Sequence, residues 1–369
     1  MTNPISSTDR IHLQRALEIG RRGWGRVHPN PAVGCVMVKD GEVIGEGWHE
    51  EWGGHHAEIN ALREAGARAE GATVYVSLEP CNHFGRTPPC SQALVEAGIS
   101  RLVYGAADPG EASSGGALTV RAHGIKVDGP VISREDARRE NPAFFHNHEQ
   151  ESTYLALKLA QTLDGRIAAA PGQRTSITGP EARIETHRLR AGFSGVMVGS
   201  NTLLVDDPFL TVREDVPFRA QPTRIVLDTH GRTPLHANLF KDVEEAPVLI
   251  ITGNHLPPDV GRRFQELGAA VHGVDQVEGG VSLEQALGVC WTLGIHSVFC
   301  EGGGRLASEL LKTGLAQRLF LFVAPFVLGS EGVPAFPGLT SRTDWERWSP
   351  IEDGKRLGRD LMLTYDRMS

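Results

Sequence analysis

No apolar run in the chain approaches the ~20 residues that a membrane-spanning helix needs, so a membrane partner is not expected. Positive charge is in deficit as well: 37 Lys and Arg face 45 Asp and Glu, for a formal net charge of −8. Nucleic-acid binders usually carry a basic stripe. No nucleic-acid partner is therefore expected, although a local basic pocket for one phosphate stays open. Cysteine is scarce, with five in 369 residues. An odd, thinly spread set fits a reducing cytosol and cysteines used for metal or packing, not a disulfide framework. The first ten residues are polar and lack the layout of a secretory leader, which adds to the expectation of a cytoplasmic protein. What remains is an ordinary globular composition, long enough for two domains.

Thr8 and Asp9 are placed to cap a first helix, with Leu13, Ala16, Leu17 and Gly20 on one of its faces. VGCVMV (33–38) and EVIGEGW (42–48) flank Asp40-Gly41, a strong hairpin signal. A helix over 56–69, a strand over 73–78, a helix ending near Gly98 and a strand over 101–106 follow, and a further helix and strand reach 131. The order ββαβαβαβ predicts a sheet with helices on its faces. After the polar, His-rich stretch NPAFFHNHEQ, alternation restarts with YLALKLA, GVMVG, RIVLD, APVLIIT, HSVFCEGGG and LFLFVAP. The boundary is expected at about 150, giving domains 1–150 and 151–369.

Three pieces of the first half carry chemistry: His56-Ala57-Glu58, Pro80-Cys81 and Cys90. One imidazole and two thiolates are a ligand set that zinc favours, and three protein ligands leave a fourth position for water. Hydrolytic deamination also needs a carboxylate near the metal but not on it, to take and return protons. Glu58, two residues after His56, is suitably spaced. H-x-E…P-C is the arrangement of nucleobase zinc deaminases. Here eight residues, not two, separate the cysteines, and Pro88-Pro89 would start a helix at Cys90. The long loop carries His83 and Arg86, which could reach an anionic substrate. Cys35, Cys290 and Cys300 read as packing residues, and His55 as a wall or surface residue.

HPNPAVG (28–34), GEGWHE (45–50), GGHHAE (53–58) and SLEPCNHFGRTPPC (77–90) together resemble the bifunctional riboflavin-biosynthesis deaminase–reductases of the RibD type. The resemblance implies a cytidine-deaminase-like α/β/α sandwich with zinc on His56, Cys81 and Cys90 and with Glu58 as proton shuttle. Asn30, His49 and Arg86 would contact the pyrimidinone and its phosphoribosyl arm. Asp108-Pro109 begins another family stretch, from which GEASSGGA then departs.

The second half resembles the family's reductase domain, of dihydrofolate-reductase-like α/β fold. The matching segments are LKLAQTLDGRIA, ITGPEAR, HRLRAG, GVMVGSNTLLVDDPFLTVR, RIVLD and FCEGGGRLASELL. The resemblance gives Lys158 and Glu301 catalytic roles near the ribose. It makes Arg190, Leu210 and Arg213 substrate contacts, the arginines plausible phosphate ligands. Ala160, Ser176, Thr202, Asp206, Thr229, Gly302, Gly303 and Gly304 would line an NADPH site. Arg174 and Ser176 stand where the family has a small polar residue and a tryptophan. Without the family, CEGGGRLASE is a strand, a glycine turn and a helix start, and no G-x-G-x-x-G follows an early strand.

The expected activity is zinc-dependent deamination of 2,5-diamino-6-(5-phosphoribosylamino)pyrimidin-4-one, then NADPH-dependent reduction of its ribosyl group to ribityl. The expected partner is this small molecule, with a homo-oligomer left open. Two alternatives stay in view: a deaminase with a degenerate reductase-like domain, and a nucleic-acid base deaminase.

Overall fold

Asp40 and Gly41 both take positive φ, 53° and 83°, as a two-residue hairpin turn requires. They join β1 (Gly34–Lys39) to β2 (Glu42–Trp48). The structure is a computed structural model; it describes residues 5–84, 88–339 and 348–368. The chain divides into two compact units, Met1–Glu151 and Ser152–Ser369.

In the first unit, β3 (Thr73–Leu78), β4 (Arg101–Ala106) and β5 (Lys126–Asp128) complete a sheet of order β2-β1-β3-β4-β5. β1 runs antiparallel to β2 and β3, whereas β3, β4 and β5 are parallel. Successive strand residues point to opposite faces, and both faces are covered. Cys35, Met37, Val74, Val76 and Leu102 pack against α2 (Ala57–Ala65), α3 (Cys90–Glu96) and α4 (Gly116–Ala122). Val36, Val38, Tyr75 and Val103 pack with Ala16 and Ile19 of α1 (Ser7–Gly20). The α2 face is made of Ala57, Ala61 and Ala65, and it lies so close to β2 that a Cβ at Gly47 would strike the Ala57 carbonyl. That close approach fixes the N-terminus of α2 against the sheet.

Three local readings change. Ser6, not Thr8 or Asp9, caps α1, and Asp9 closes a capping box from the third helical position. The α2 helix ends earlier, at Gly66 with φ 56°, and a 3₁₀ turn, Gly66–Ala69, carries the chain on. NPAFFHNHEQ contains the helix Pro142–Gln150, with proline in its first turn and Phe145 buried against Leu78 and Ala106. Its polar composition hid a short apolar anchor, Phe145 with Phe144 packed beside it.

The second unit is built on a ten-stranded sheet among the described residues. Across it lie Ala270–Val274, Val248–Gly253, Thr223–Leu227, Gly195–Gly199, Ser297–Cys300, Tyr154–Thr162 and Arg318–Ala324, each parallel to the next. Asp360–Arg367 and Trp348–Pro350 then add antiparallel, and Lys355–Leu357 pairs with Asp360–Arg367 off this path. Parallel strands covered on both faces read as unbroken apolar runs, and Val248–Gly253 and Ser297–Cys300 are buried throughout. In such sheets ligand sites gather at the carboxyl ends of the strands. The helix Ser200–Asp206, Asp228 and the glycine turn after Cys300 all start at such ends. Among the described residues, no helix is long and apolar enough to cross a membrane.

Candidate functional site

His56 is the N-cap residue of α2, Cys81 follows β3, and Cys90 opens α3 behind Pro89. The sheet brings these starts together. His56 Nδ1 lies 3.5 Å from Cys81 Sγ and 3.3 Å from Cys90 Sγ, and the three donor atoms lie within 4.8 Å of one another. The Cys90 amide donates to Cys81 Sγ at 3.4 Å. A hydrogen bond shared with the Cys90 thiol, with His56 beside it, pulls the Cys81 thiol below its ordinary range against burial, while the same thiol contact and burial push Cys90 up. The bond to Cys81 raises His56 to about 9. Three groups competing for protons at this range suit one soft cation, which takes a neutral imidazole and two thiolates.

Glu58, in the first turn of α2, is 3% exposed and is not among the three clustered donors. Burial raises its carboxyl to about 7, against the attraction of His56. His49 Nδ1 donates to the His55 carbonyl at 3.0 Å. A carbonyl only accepts, so the proton sits on Nδ1, and Nε2 accepts from Asn30 Nδ2 at 3.3 Å. Burial keeps His49 neutral by lowering its pKa, and its ring stands edge-on to His56 with centroids 5.4 Å apart. Asn30, His49, Glu58 and the donor triad therefore belong to one region. Arg86 lies outside the described residues. His83 is exposed, and His55 is half-buried with Nδ1 unpartnered among the described residues. Cys35, Cys290 and Cys300 are fully buried.

Sequence reasoning missed the residues that hold the long cysteine loop and the 108–117 segment. Ser91 closes it, donating from its amide to the Cys81 carbonyl at 3.2 Å and from its hydroxyl to Asn82 at 2.9 Å. Glu79 accepts from the amides of Gly115 and Ala117 at 3.2 and 3.1 Å, and Asp108 accepts from Gly110 at 2.8 Å. The Glu79 partners, which include the Asp108 amide, lie 29 to 38 residues away, so no local spacing announces them.

In the second unit Arg190, on the helix Pro180–Ala191, forks onto Glu301. The contacts are 2.5 Å (Nε to Oε1) and 3.1 Å (Nη2 to Oε2), with side chains only 9% and 11% exposed. Burial opposes the Glu301 charge, but Arg190 and Lys158 outweigh it and hold the carboxyl below its ordinary range. Lys158 sits over Phe322 at 5.2 Å, and burial lowers its pKa despite Glu301. Ala160 follows two residues along the same strand face. The third Arg190 contact runs to the Thr211 carbonyl at 2.8 Å. Arg213 is exposed and stacks over Phe209 at 4.8 Å. Leu210 is buried at φ 57°.

Thr202 accepts from the Gly303 amide at 3.2 Å, which ties the helix Ser200–Asp206 to the glycine turn. A Cβ at Gly304 would crowd the carbonyls of Pro334 and Ala335. Burial raises Asp206, with Arg174 opposing. The Thr229 carbonyl accepts from Gly253 at 3.2 Å. Ser176 and Arg174 are exposed, and no hydrogen bond among the described residues joins Ser176 to another predicted cofactor residue. His187 and Gln221, which the sequence did not single out, both hold the segment that carries Arg213. Each contact is made by a side chain reaching main chain, a pattern with no sequence signature.

Residues 6–106 match the family described as the cytidine and deoxycytidylate deaminase zinc-binding region, and residues 153–357 match the RibD C-terminal domain. The chain is 42% identical to riboflavin biosynthesis protein RibD of Aquifex aeolicus, over 98% of this chain and 99% of that one. It is 37% identical to the Escherichia coli protein of the same name, over 96% and 98%. Among solved structures, RibD from Acinetobacter baumannii superposes with a TM-score of 0.84 at 34% identity, covering 98% of this chain and 99% of that chain. A Thermotoga maritima diaminohydroxyphosphoribosylaminopyrimidine deaminase/5-amino-6-(5-phosphoribosylamino)uracil reductase gives 0.83 at 32%, with the same coverage. With a deaminase zinc-binding unit followed by a reductase unit, and relatives matched over nearly their whole length, the chain belongs to the RibD family of bifunctional riboflavin-biosynthesis deaminase–reductases.

Proposed function

We propose that the first unit deaminates 2,5-diamino-6-(5-phosphoribosylamino)pyrimidin-4-one and that the second reduces the ribosyl group of the product to ribityl with NADPH. The observation that carries this reading is the convergence of His56, Cys81 and Cys90 within 4.8 Å, beside a buried carboxylate that is not one of them. These three residues would hold one zinc ion, which when bound makes water a nucleophile at neutral pH. Glu58 takes the proton of the attacking water and returns protons to the ring nitrogen and the departing amine. Asn30, oriented by His49, and Arg86 contact the pyrimidinone and its phosphoribosyl arm.

In the second unit NADPH, when bound, supplies the hydride. Ala160, Ser176, Thr202, Asp206, Thr229 and Gly302 to Gly304 would line its site. Arg213 offers an exposed guanidinium to the substrate phosphate, a charge-assisted and planar contact. Leu210 closes on the same substrate. Lys158 is made a better proton donor by burial, and Glu301, held by Arg190, faces the same reacting group. The partner is this small molecule, in the cytoplasm, with neither nucleic acid nor membrane involved; the net charge of −8 supports the exclusion of polyanions.

A second reading, a deaminase with a silent reductase unit, is favoured by one observation: Arg174 and Ser176 are exposed where the family has an aromatic platform. One experiment separates the two. Purified protein is incubated with the diaminopyrimidine substrate, with and without NADPH, and the products are identified by mass. The proposal expects the deaminated compound without NADPH and its ribityl form with it. Deaminated compound under both conditions leaves the second reading, and unchanged substrate overturns both.

A further inference from the structure

Thr211, Val212 and Arg213 belong to no strand, yet their main chain is hydrogen-bonded on both sides by side chains. From one side the helix Pro180–Ala191 supplies two contacts. Arg190 donates to the Thr211 carbonyl at 2.8 Å, and His187 Nδ1 accepts from the Arg213 amide at 3.1 Å. His187 and Arg190 are three residues apart and share a helix face. Residues 211 and 213 are two apart and share an edge of an extended segment. From the other side the Gln221 side chain clamps Val212, accepting from its amide at 2.7 Å and donating to its carbonyl at 2.8 Å. The segment is entered through Leu210 at φ 57°. A non-glycine residue keeps such a backbone only when its surroundings enforce it.

We infer that His187 is a positioning residue for Arg213. Through its Nδ1 acceptor it fixes the Arg213 main chain, and with it the direction from which the guanidinium meets the substrate phosphate. The inference rests on the reading of Arg213 as the phosphate ligand. His187 is 3% exposed, and the bond needs Nδ1 without a proton. Burial and the nearby Arg190 and Arg213 lower its pKa to about 4, against Glu301 and Glu214, so the acceptor persists at neutral pH. Arg213 itself has no ion pair among the described residues and stacks on Phe209. Its main-chain anchor and that stacking are what aim it.

The test compares full-length His187→Ala, His187→Asn and His187→Gln with wild type and Arg213→Ala. An asparagine side chain can place an acceptor near Nδ1, whereas glutamine reaches toward Nε2. Two readouts are taken: hydrogen-exchange protection of the Arg213 amide, and separate KM values for the deaminated phosphoribosyl compound and for NADPH. His187→Ala is expected to speed Arg213 exchange and raise the substrate KM about tenfold, the worth of one well-placed hydrogen bond. The NADPH KM and ammonia release by the first unit stay unchanged. His187→Asn recovers both effects and His187→Gln does not; if the alanine variant fails to fold, this pair carries the comparison. A substrate KM unmoved by His187→Ala while Arg213→Ala raises it overturns the inference alone. Equal rises in both KM values for all three variants also overturn it, because they mean general support of the fold. A substrate KM unmoved by Arg213→Ala, or no NADPH oxidation by wild type, overturns the phosphate or reductase reading and takes the inference with it.

Discussion

The two units handle their reactive groups in opposite ways. In the first, His56, Cys81 and Cys90 crowd together as three donors of electron pairs, and a cation is what satisfies all of them at once. In the second, Arg190 and Glu301 neutralise one another across a short fork, with Lys158 close by. One site is completed by an ion from outside; the other is compensated from within. The first should fail in an all-or-none manner when a ligand is removed, and the second by degrees.

The largest effect is expected from Cys81→Ser or Cys90→Ser. Either should deplete zinc and abolish ammonia release, checked by metal analysis and an ammonia assay, and full occupancy with full activity in Cys81→Ser would mean that the donor set is misassigned. Next comes Glu58→Gln, which should keep its metal and lose about 10²–10⁴-fold in deamination, the usual share of general acid–base transfer. Metal loss in that variant would make Glu58 a ligand instead. In the second unit Arg190→Ala strands a buried carboxylate, which costs about 3–5 kcal/mol when one partner of a buried pair is removed. Hydrogen exchange confined to 152–369 should report that loss while ammonia release stays normal.

The smallest effect concerns acid. Burial opposes ionisation of Asp9, but bonds from Arg101, Ser6 and Tyr75 outweigh it and hold its carboxyl well below the ordinary range. A carboxyl depressed by folding contributes stability that is complete above its unfolded value near ~4 and is lost as pH falls through the folded one. Thermal unfolding should therefore show Asp9→Asn less stable than wild type at neutral pH, with the gap closing in acid. A gap that widens in acid would reverse the assignment.

The same contrast explains what was legible beforehand. His56, Glu58, Cys81 and Cys90 fall within thirty-five residues, and the chemistry of a zinc site constrains both their types and their spacing. The hairpin at Asp40-Gly41 and the alternating strands were readable because turn geometry and the period of two are local. Lys158, Arg190, Arg213 and Glu301 span more than a hundred residues and meet only through a parallel sheet whose strand order is not the chain order. Their placement came from family likeness, not from spacing. Their mutual neutralisation, the His187 and Gln221 clamps and the Glu79 bridge are side-chain contacts to distant main chain, which no local pattern encodes. The helix Pro142–Gln150 was hidden for a related reason, since only Phe145, with Phe144 half-buried beside it, anchors an otherwise polar stretch.

The central claim is that two separate catalytic units share one chain, and Cys81→Ser tests it most directly. That variant is given the diaminopyrimidine compound in one assay, and the deaminated compound with NADPH in another. The account predicts no ammonia in the first and NADPH oxidation at the wild-type rate in the second. Loss of NADPH oxidation together with the metal, in a variant whose second unit remains folded by hydrogen exchange, would contradict it.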